Sequence, residues 1–339
     1  KYSYMEIVHS LEESIWRRFV YENPAGNIFH TPEMFQVFSR AYGHQPMLWA
    51  AVQDERVLAL FIPVEISLGV GILHSFTTRS VCYGGVLCSS GSRAIDALAE
   101  LLSAYTSSVR RKALFTEIRN VSDNGNLQSV LLSTGFSYDP HLNYIVDLDL
   151  PIEKVWENIS PSGRRGIKKA GRRGDRLFVW EVQDKETLPQ WYRVMGEAFS
   201  RIHVPLAHFS LFETAFEILY PKKMIQFLIG EVDDQGVASS VALLYKNTLY
   251  GWFRGYDRSF KQYLPNDLMV WHVFRWGVEN DYKAFDFGGA GRPAEEYGPR
   301  NFKAKFGGRL VNYGRNTIVH APTRLKLSGI GYRLLRRLL

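Results

Sequence analysis

A strand–turn–helix unit that occurs twice constrains the fold of this chain more than any other feature. The first copy runs from Lys112 to Phe136 and the second from Lys283 to Gly308. Each copy begins as an apolar strand, passes through a polar or glycine-rich turn, and ends in a short helical segment before glycine. Only the second copy carries lysines in its helix, Lys303 and Lys305. Internal self-similarity predicts two lobes built on one plan.

The segments that precede each copy also repeat. A hairpin is predicted around the turn at residues 54–55 and another around residues 233–236. Each hairpin follows helical segments and is followed by a further strand and a helix before the repeated unit. A length of 339 residues is also more than one hydrophobic core usually serves.

The sequence therefore predicts an α/β (α+β) protein of two lobes, each a mixed, mostly antiparallel sheet flanked by helices. The predicted boundaries place the first lobe at residues 1–150, the second at 151–320, and a basic tail at 321–339.

The order of elements resembles the tandem GNAT-fold acyltransferases of the Fem type. The resemblance covers the chain to about Val319 and rests on three motifs: the second repeat copy (residues 285–289 and 302–308), Ile28-Phe29-His30-Thr31-Pro32, and the basic run from Ser162 to Gly174. It implies transfer of an aminoacyl group from charged tRNA to an amine of a nucleotide- or lipid-linked cell-envelope precursor. It also implies a cytoplasmic enzyme.

The candidate catalytic residues lie in the second repeat copy. At about 100° per residue, Lys303 and Lys305 flank the apolar face formed by Phe302 and Phe306. In the resembled family a lysine here stabilises charge on the tetrahedral intermediate. The alternative is a pair of solvated surface lysines, but the first copy folds without them. For Asp286 two interpretations stay open: it orients the attacking amine, or it caps the following turn.

The candidate substrate-binding residues surround this copy. Trp252, Arg254 and Tyr256 alternate along a strand, which predicts one shared face that suits a sugar or nucleotide ring. A two-sided core strand explains the aromatic residues equally well. The remaining candidates in this part of the chain are Gly288, Gly289, Tyr297 and Arg300.

A second binding surface is predicted in the basic run. Arg164, Arg165 and Lys168 belong to a series of cations that continues to Arg176, and a helix would align positions 164, 168, 172 and 176 in one row. The formal charge of +7 points the same way. The run predicts binding to phosphates, with a solvated helix face as the alternative.

The expected acyl donor follows from a missing loop. A lobe that uses CoA needs a glycine-rich turn whose N–H groups hold pyrophosphate at a helix N-terminus. Residues 258–267 contain no glycine, and Asp267 would repel a phosphate. This disfavours acetyl-CoA, and the expected donor is aminoacyl-tRNA. No metal or other cofactor is expected, because the histidines lack the spacing of metal ligands.

The acceptor is less defined. Family members that act on the nucleotide-linked cell-wall precursor tend to carry an arginine just before an aromatic residue in the middle of the second lobe. Here that stretch is Val204 to Phe209, and the nearest arginine is Arg201. Two alternative functions stay open: a CoA-dependent N-acyltransferase acting on an amino sugar of a surface polysaccharide, and a non-catalytic binding module for RNA or membrane.

The basic tail has helical apolar spacing, which suits either a peripheral contact with an anionic membrane or docking onto the second lobe. No apolar run is long enough to span a bilayer.

Overall fold

The computed structural model describes residues 4–67, 74–172 and 177–329. It divides the chain into two compact units. Unit 1 comprises Lys1–Pro140 and Tyr313–Leu339, and unit 2 comprises His141–Asn312. These limits differ from the predicted lobe boundaries at residues 150 and 320.

Unit 1 begins with a short strand and alternates helices with short strands. Its elements are β1 (Glu6–Val8), α1 (Glu13–Glu22), a 3-10 helix (Ile28–His30), α2 (Pro32–Arg40), β2 (His44–Pro46), β3 (Trp49–Gln53), β4 (Arg56–Phe61), β5 (Pro63–Ile66), α3 (His74–Thr77), β6 (Arg79–Gly84), β7 (Leu87–Cys88), α4 (Ser92–Val109), β8 (Phe115–Asn120), a 3-10 helix (Gly125–Leu127), α5 (Gln128–Ser133) and β9 (Ser137–Asp139).

Unit 2 contains longer strands. Its elements are β10 (Leu142–Asp147), α6 (Ile152–Asn158), α7 (Pro161–Arg172), β11 (Leu177–Glu181), α8 (Leu188–Arg201), α9 (Phe209–Leu219), a 3-10 helix (Tyr220–Lys222), β12 (Ile225–Val232), β13 (Gln235–Tyr245), β14 (Thr248–Tyr256), a 3-10 helix (Arg258–Tyr263), α10 (Pro265–Glu279), β15 (Ala284–Gly289), α11 (Gly298–Ala304) and β16 (Arg309–Asn312). The last strand in the described residues, β17 (Arg315–Val319), belongs to unit 1.

The predicted hairpins are present in both units. β3 and β4 pair around Asp54 and Glu55, and β12 and β13 pair around Asp233 and Asp234. All four turn residues have positive φ angles between 49° and 62°, the geometry of a two-residue turn that matches strand twist.

The sheets are mixed and mostly antiparallel, as predicted. In the described part of unit 1 the strands form two sheets, ordered β1-β3-β4-β7 and β2-β5-β6-β8-β17-β9, and unit 2 has one sheet ordered β11-β12-β13-β14-β15-β10-β16. The parallel pairs are β6 with β8 and β14 with β15, and one long helix precedes the second strand of each pair. The two units therefore share this arrangement of two parallel strands with a helix between them, although the described strands of unit 1 are divided between two sheets.

Two strands explain the shifted boundaries, because each lies in the sheet of the other repeat. β10 follows the first copy in the chain but pairs with β15 and β16 of unit 2. β17 follows the second copy but pairs with β8 and β9 of unit 1. The prediction that the first lobe continues to residue 150 is wrong, since residues 142–147 complete the other sheet.

The basic tail is described as far as residue 329. Residues 322–329 are helical, and Arg324 donates a hydrogen bond to the Arg111 carbonyl of unit 1 at 3.3 Å. This contact is with unit 1, and it is not the docking onto the second lobe that was one of the two alternatives for the tail. The predicted cations at positions 333, 336 and 337 lie outside the described residues. Among the helices of the described residues, none is long and apolar enough to cross a membrane.

Candidate functional site

The central parallel strands of unit 2 separate, and a cavity opens between them. β14 and β15 pair from Thr248 with Ala284 to Tyr250 with Asp286, and their pairing with each other ends there. Beyond that point β14 remains paired with β13. The cavity has a volume of about 340 Å³.

Most of the cavity wall is apolar. Aromatic and aliphatic side chains from α8, β14, α10 and β15 form it, including Phe199, Phe253 and Met269. The polar side chains on the wall are Ser240, Arg254, Tyr297 and Lys303. An apolar pocket with a few converging polar groups is the usual form of a small-molecule site.

Lys303 is a buried cation on this wall. It lies in α11 with 7% of its surface exposed. Its Nζ donates to the carbonyl oxygens of Phe287 at 2.8 Å, Gly288 at 3.3 Å and Gly289 at 2.7 Å. An ammonium has three protons, so each has an acceptor. Burial lowers the pKa of Lys303 to about 8, and repulsion from Arg254 adds to the fall. The side chain is therefore mostly charged at neutral pH.

Asp286 lies beside this lysine but behind the cavity wall. Only 3% of it is exposed, and it accepts hydrogen bonds from the Gly288 amide at 2.7 Å and from Asn143 Nδ2 at 3.2 Å. Burial raises the pKa of Asp286 to about 6, although these hydrogen bonds and the Lys303 charge oppose the rise. The observed contacts are those of a turn cap, and its role in orienting an amine stays a prediction.

Arg254 brings a second cation to the cavity. Its Cζ lies 5.4 Å from the ring centroid of Phe287 and 4.9 Å from that of Phe302. Burial lowers the pKa of Arg254 to about 10, and the charge of Asp267 opposes the fall. Within the described part of the chain, no oxygen accepts a hydrogen bond from its guanidinium and no carboxylate lies at ion-pair distance.

The predicted shared face of β14 forms only for Arg254 and Tyr256, and Trp252 does not belong to it. A register shift opposite Val241 and Ala242 leaves Trp252 as an extra residue in β14. Trp252 contacts Phe212, with ring centroids 6.0 Å apart, whereas Arg254 lies over the rings of Phe287 and Phe302. A bulge of this kind breaks the alternation of side chains along a strand. Trp252 and Arg254 both line the cavity, and Tyr256 packs against the core of unit 2.

The loop from β15 to α11 supplies the remaining predicted residues. Gly288, Gly289 and Tyr297 line the cavity. Gly291 has a φ of +78°, and a Cβ there would lie 2.9 Å from the Tyr297 ring, so only glycine lets that ring lie against the backbone. Arg300 Nε donates to the Ala290 carbonyl at 2.7 Å, and its other nitrogens donate to further carbonyls of this loop. Arg300 therefore holds the loop together and does not line the cavity.

Lys305 and Asp267 lie near the start of α10, away from the cavity wall. Lys305 Nζ lies 5.5 Å from the Phe302 ring centroid. Asp267 is in the first turn of α10 with 7% exposure, and burial raises its pKa against the opposing charges of Lys305 and Arg254. A Cβ at Gly166 of α7 would lie 2.6 Å from the Asp267 carboxylate. The protein's own carboxylate therefore occupies this helix N-terminus.

Helix α7 carries the predicted basic surface. Arg165 and Lys168 are exposed and Arg164 is partly buried, and Lys168 Nζ lies 5.8 Å from the Trp156 ring centroid. The helix continues to Arg172, the third position of the predicted row, while the fourth position, 176, lies outside the described residues. Among the residues with described positions, no carboxylate pairs with the cations of this helix.

Asn143 is a polar residue of this region that the sequence did not suggest. It lies in β10, which the predicted boundaries assigned to the other lobe, and it reaches Asp286 only because β10 pairs with β15. An asparagine within the apolar run Leu142–Val146 was the available signal. Nowhere in the described ranges do three or more His, Cys, Asp or Glu side chains form a group that could hold a metal ion.

Comparisons with known proteins agree with this architecture. Residues 162–303 match the family model of the acetyltransferase (GNAT) domain. No curated protein matches the chain by sequence. The solved structure of FemX is similar in fold, with a TM-score of 0.70 at 14% identity, covering 95% of this chain and 99% of that one.

Two further structures extend the comparison. L-PGS from Bacillus licheniformis has a TM-score of 0.58 at 16% identity, covering 96% of this chain and 97% of its own. A tandem GNAT protein from the clavulanic acid biosynthesis pathway has a TM-score of 0.59 at 10% identity, covering 94% and 100%. The domain match and these folds support an acyltransferase. In fold, the chain is similar to FemX and to the tandem GNAT protein, and the part of its second unit from residue 162 to residue 303 matches the acetyltransferase (GNAT) domain.

Proposed function

We propose that this protein transfers an aminoacyl group from aminoacyl-tRNA to an amine of a cell-envelope precursor. The observation that carries the proposal is the state of the helix N-terminus after β14. In a CoA-dependent lobe this position offers free backbone N–H groups to pyrophosphate. Here a 3-10 helix without glycine precedes it, and the Asp267 carboxylate is buried in its first turn.

The basic surface of α7 supports an RNA donor. Its exposed arginine and lysine side chains have no acidic partner among the described residues, so their charges are available to phosphates. A polyanion gains affinity by releasing counterions when such cations neutralise it. The resemblance to Fem-type enzymes implies the same donor, and the fold shared with FemX agrees with that resemblance.

The cavity in unit 2 suits the reaction that this donor requires. The acceptor amine attacks the ester carbonyl, and the carbonyl oxygen becomes an oxyanion. As the oxyanion collapses, the C–O bond to the tRNA ribose breaks, and the ribose oxygen takes up the proton that the amine nitrogen loses and leaves as a hydroxyl group. Lys303 stabilises the oxyanion electrostatically. Of its three hydrogen bonds, the one to Gly288 at 3.3 Å is the longest and the most readily exchanged for the oxyanion.

Asp286 and Arg300 position the loop that forms part of the cavity. Asp286 fixes the Gly288 amide, and Arg300 fixes the carbonyl of Ala290. Their substitution is expected to lower the rate through the geometry of the loop. Lys305 lies off the cavity wall, and its proposed part is to offset the charge of Asp267.

A CoA-dependent N-acyltransferase acting on an amino sugar is the second candidate. The match of residues 162–303 to an acetyltransferase domain favours it. Calorimetric titration with acetyl-CoA distinguishes the two, because the Asp267 carboxylate is expected to prevent tight binding of the pyrophosphate.

The direct test incubates the protein with bulk tRNA charged with radiolabelled amino acids and with a panel of nucleotide-linked and lipid-linked amine acceptors. The expected result is a mass increase of one aminoacyl group on an acceptor. The Lys303→Met variant should lose this transfer. The control variant Lys261→Met should keep it, because Lys261 is an exposed residue of the 3-10 helix that precedes α10. Transfer from acetyl-CoA alone would contradict the proposal. Binding of tRNA without any transfer would favour a non-catalytic module.

The lipid-linked acceptors raise the question of membrane contact. The basic tail is proposed to hold the enzyme at an anionic membrane face. Co-sedimentation with vesicles that contain phosphatidylglycerol, with and without residues 322–339, tests this contact.

A further inference from the structure

The two cations of the cavity differ in what they can still bind. Each proton of the Lys303 ammonium is donated to a backbone carbonyl of β15. A guanidinium has five N–H donors, and none of those of Arg254 is accepted by a described residue. The hydrogen-bonding capacity that remains in the cavity therefore lies mainly at Arg254.

The residues around Arg254 hold the guanidinium in place but do not accept hydrogen bonds from its N–H groups. The rings of Phe287 and Phe302 lie within 5.4 Å and 4.9 Å of Cζ, and stacking on aromatic faces restricts the plane of the group. Asp267 acts on Arg254 only through its field, because it is not within ion-pair distance. Arginine binds carboxylates and phosphates through two parallel N–H groups of a guanidinium that is fixed in position and partly withdrawn from water.

The field inside the cavity favours a negative group. Lys303 and Arg254 repel each other, which contributes to the low pKa of Lys303. An anion between or beside them would relieve this repulsion. The Arg254 guanidinium is partly withdrawn from water and has no carboxylate at ion-pair distance among the described residues, so a bound anion would supply the charge-assisted hydrogen bonds that it lacks.

We propose that Arg254 binds an anionic oxygen group, a carboxylate or a phosphate, that the acyl acceptor carries near its reacting amine. This inference rests on the proposed function, since it takes the cavity to be the acceptor site. It makes Arg254 the residue that selects acceptors with a negative group and rejects neutral amines.

The test uses three matched amines that differ in one group and measures their dissociation constants for the full chain at low ionic strength. O-phosphoethanolamine carries a phosphate, β-alanine a carboxylate, and ethanolamine a hydroxyl. At least one of the first two is expected to bind more tightly than ethanolamine by about tenfold, the effect of one charge-assisted hydrogen-bonded pair. Whichever binds tighter identifies the anion as phosphate or carboxylate.

Three variants test whether Arg254 causes the preference for the anionic amines. Arg254→Gln is expected to abolish it, and Arg254→Lys, which keeps the charge but loses the fork, to retain only part of it. Arg275→Gln is the control, because it removes one positive charge from an exposed ion pair with Glu279 on α10. Circular dichroism verifies that each variant is folded.

Equal binding of the three amines by the unmodified protein would overturn the inference without the use of any variant. An unchanged preference in folded Arg254→Gln would overturn it as well. These measurements need no aminoacyl-tRNA, so a failure of the proposed transfer reaction leaves a separate signature: the anion preference persists while no donor supports transfer.

Discussion

Replacing Lys303 with methionine separates what this residue does for catalysis from what it does for stability. Methionine has nearly the same length but no charge and no donor. The substitution removes the hydrogen bonds to Phe287, Gly288 and Gly289 and the positive charge on the cavity wall.

The effect on stability is expected to be small because two contributions oppose each other. The fall in the pKa of Lys303 from 10.5 to about 8 means that folding disfavours the charged amine by about 3 kcal/mol relative to the neutral amine. Methionine removes this penalty. It also leaves carbonyl oxygens without a donor, at about 1–3 kcal/mol for each one that water cannot reach. Gly288 and Gly289 line the cavity, where water can replace the lost donor.

The effect on the rate is expected to be large. Loss of one group that stabilises an oxyanion costs roughly 10²–10³ in rate. Lys303→Met should therefore unfold in urea within about 2 kcal/mol of the unmodified protein, while aminoacyl transfer falls at least about a hundredfold. Urea unfolding followed by circular dichroism gives the first quantity, and transfer of a radiolabelled aminoacyl group gives the second. Lys261→Met serves as the matched control for both.

Two results would refute this reasoning. Full transfer activity in folded Lys303→Met would show that the charge is not needed. A large loss of stability, in parallel with the loss of activity, would show that the lysine acts mainly as a structural clamp on the end of β15.

Three further predictions follow from the charges and the strand pairing. The value of kcat/KM should fall above about pH 8, because the lowered pKa of Lys303 means that its positive charge is lost as the pH rises through that value. The Lys303→Met variant should not show this fall. A decline of kcat/KM only near pH 10 would contradict the prediction. Substitution of Lys168 by alanine should reduce the steepness of the plot of log affinity for tRNA against log salt concentration by about one, as measured by filter binding. An unchanged slope would mean that the RNA does not bind at helix α7. Deletion of residues 313–339 should expose unit 1 to limited proteolysis while unit 2 stays protected, because β17 pairs with β8 and β9. Deletion of residues 322–339 alone is the control. Continued protection of unit 1 after the longer deletion would contradict the assigned strand pairing.

Much of the fold could be predicted from local patterns. The turns at Asp54–Glu55 and Asp233–Asp234 lie between apolar alternating segments, and the structure has both hairpins. The repeated strand–turn–helix unit predicted two lobes of one plan, and each unit has the corresponding parallel strand pair. The hairpins depend on residues close together in the chain, and the repeat is visible in the order of the residues, which is why the sequence alone indicates both.

The cavity brings together only part of the candidate site that the sequence suggested. Lys303, Arg254, Gly288, Gly289, Trp252 and Tyr297 all line the cavity, whereas Tyr256, Arg300 and Lys305 do not. Strand alternation placed Trp252 and Arg254 on one face, but the bulge in β14 separates their contacts. A bulge has no reliable sequence signature, because it depends on how the neighbouring strand pairs.

The sequence by itself therefore determined the two lobes, their order of elements and the presence of lysines in only one copy of the repeat. The tertiary structure decided which sheet β10 and β17 join, because apolar alternation specifies that a strand is buried but not which strand it pairs with. It also decided that Lys303 has all of its protons engaged and Arg254 none with a described residue. The partners of a buried side chain come from distant parts of the chain, and only the folded protein brings them together.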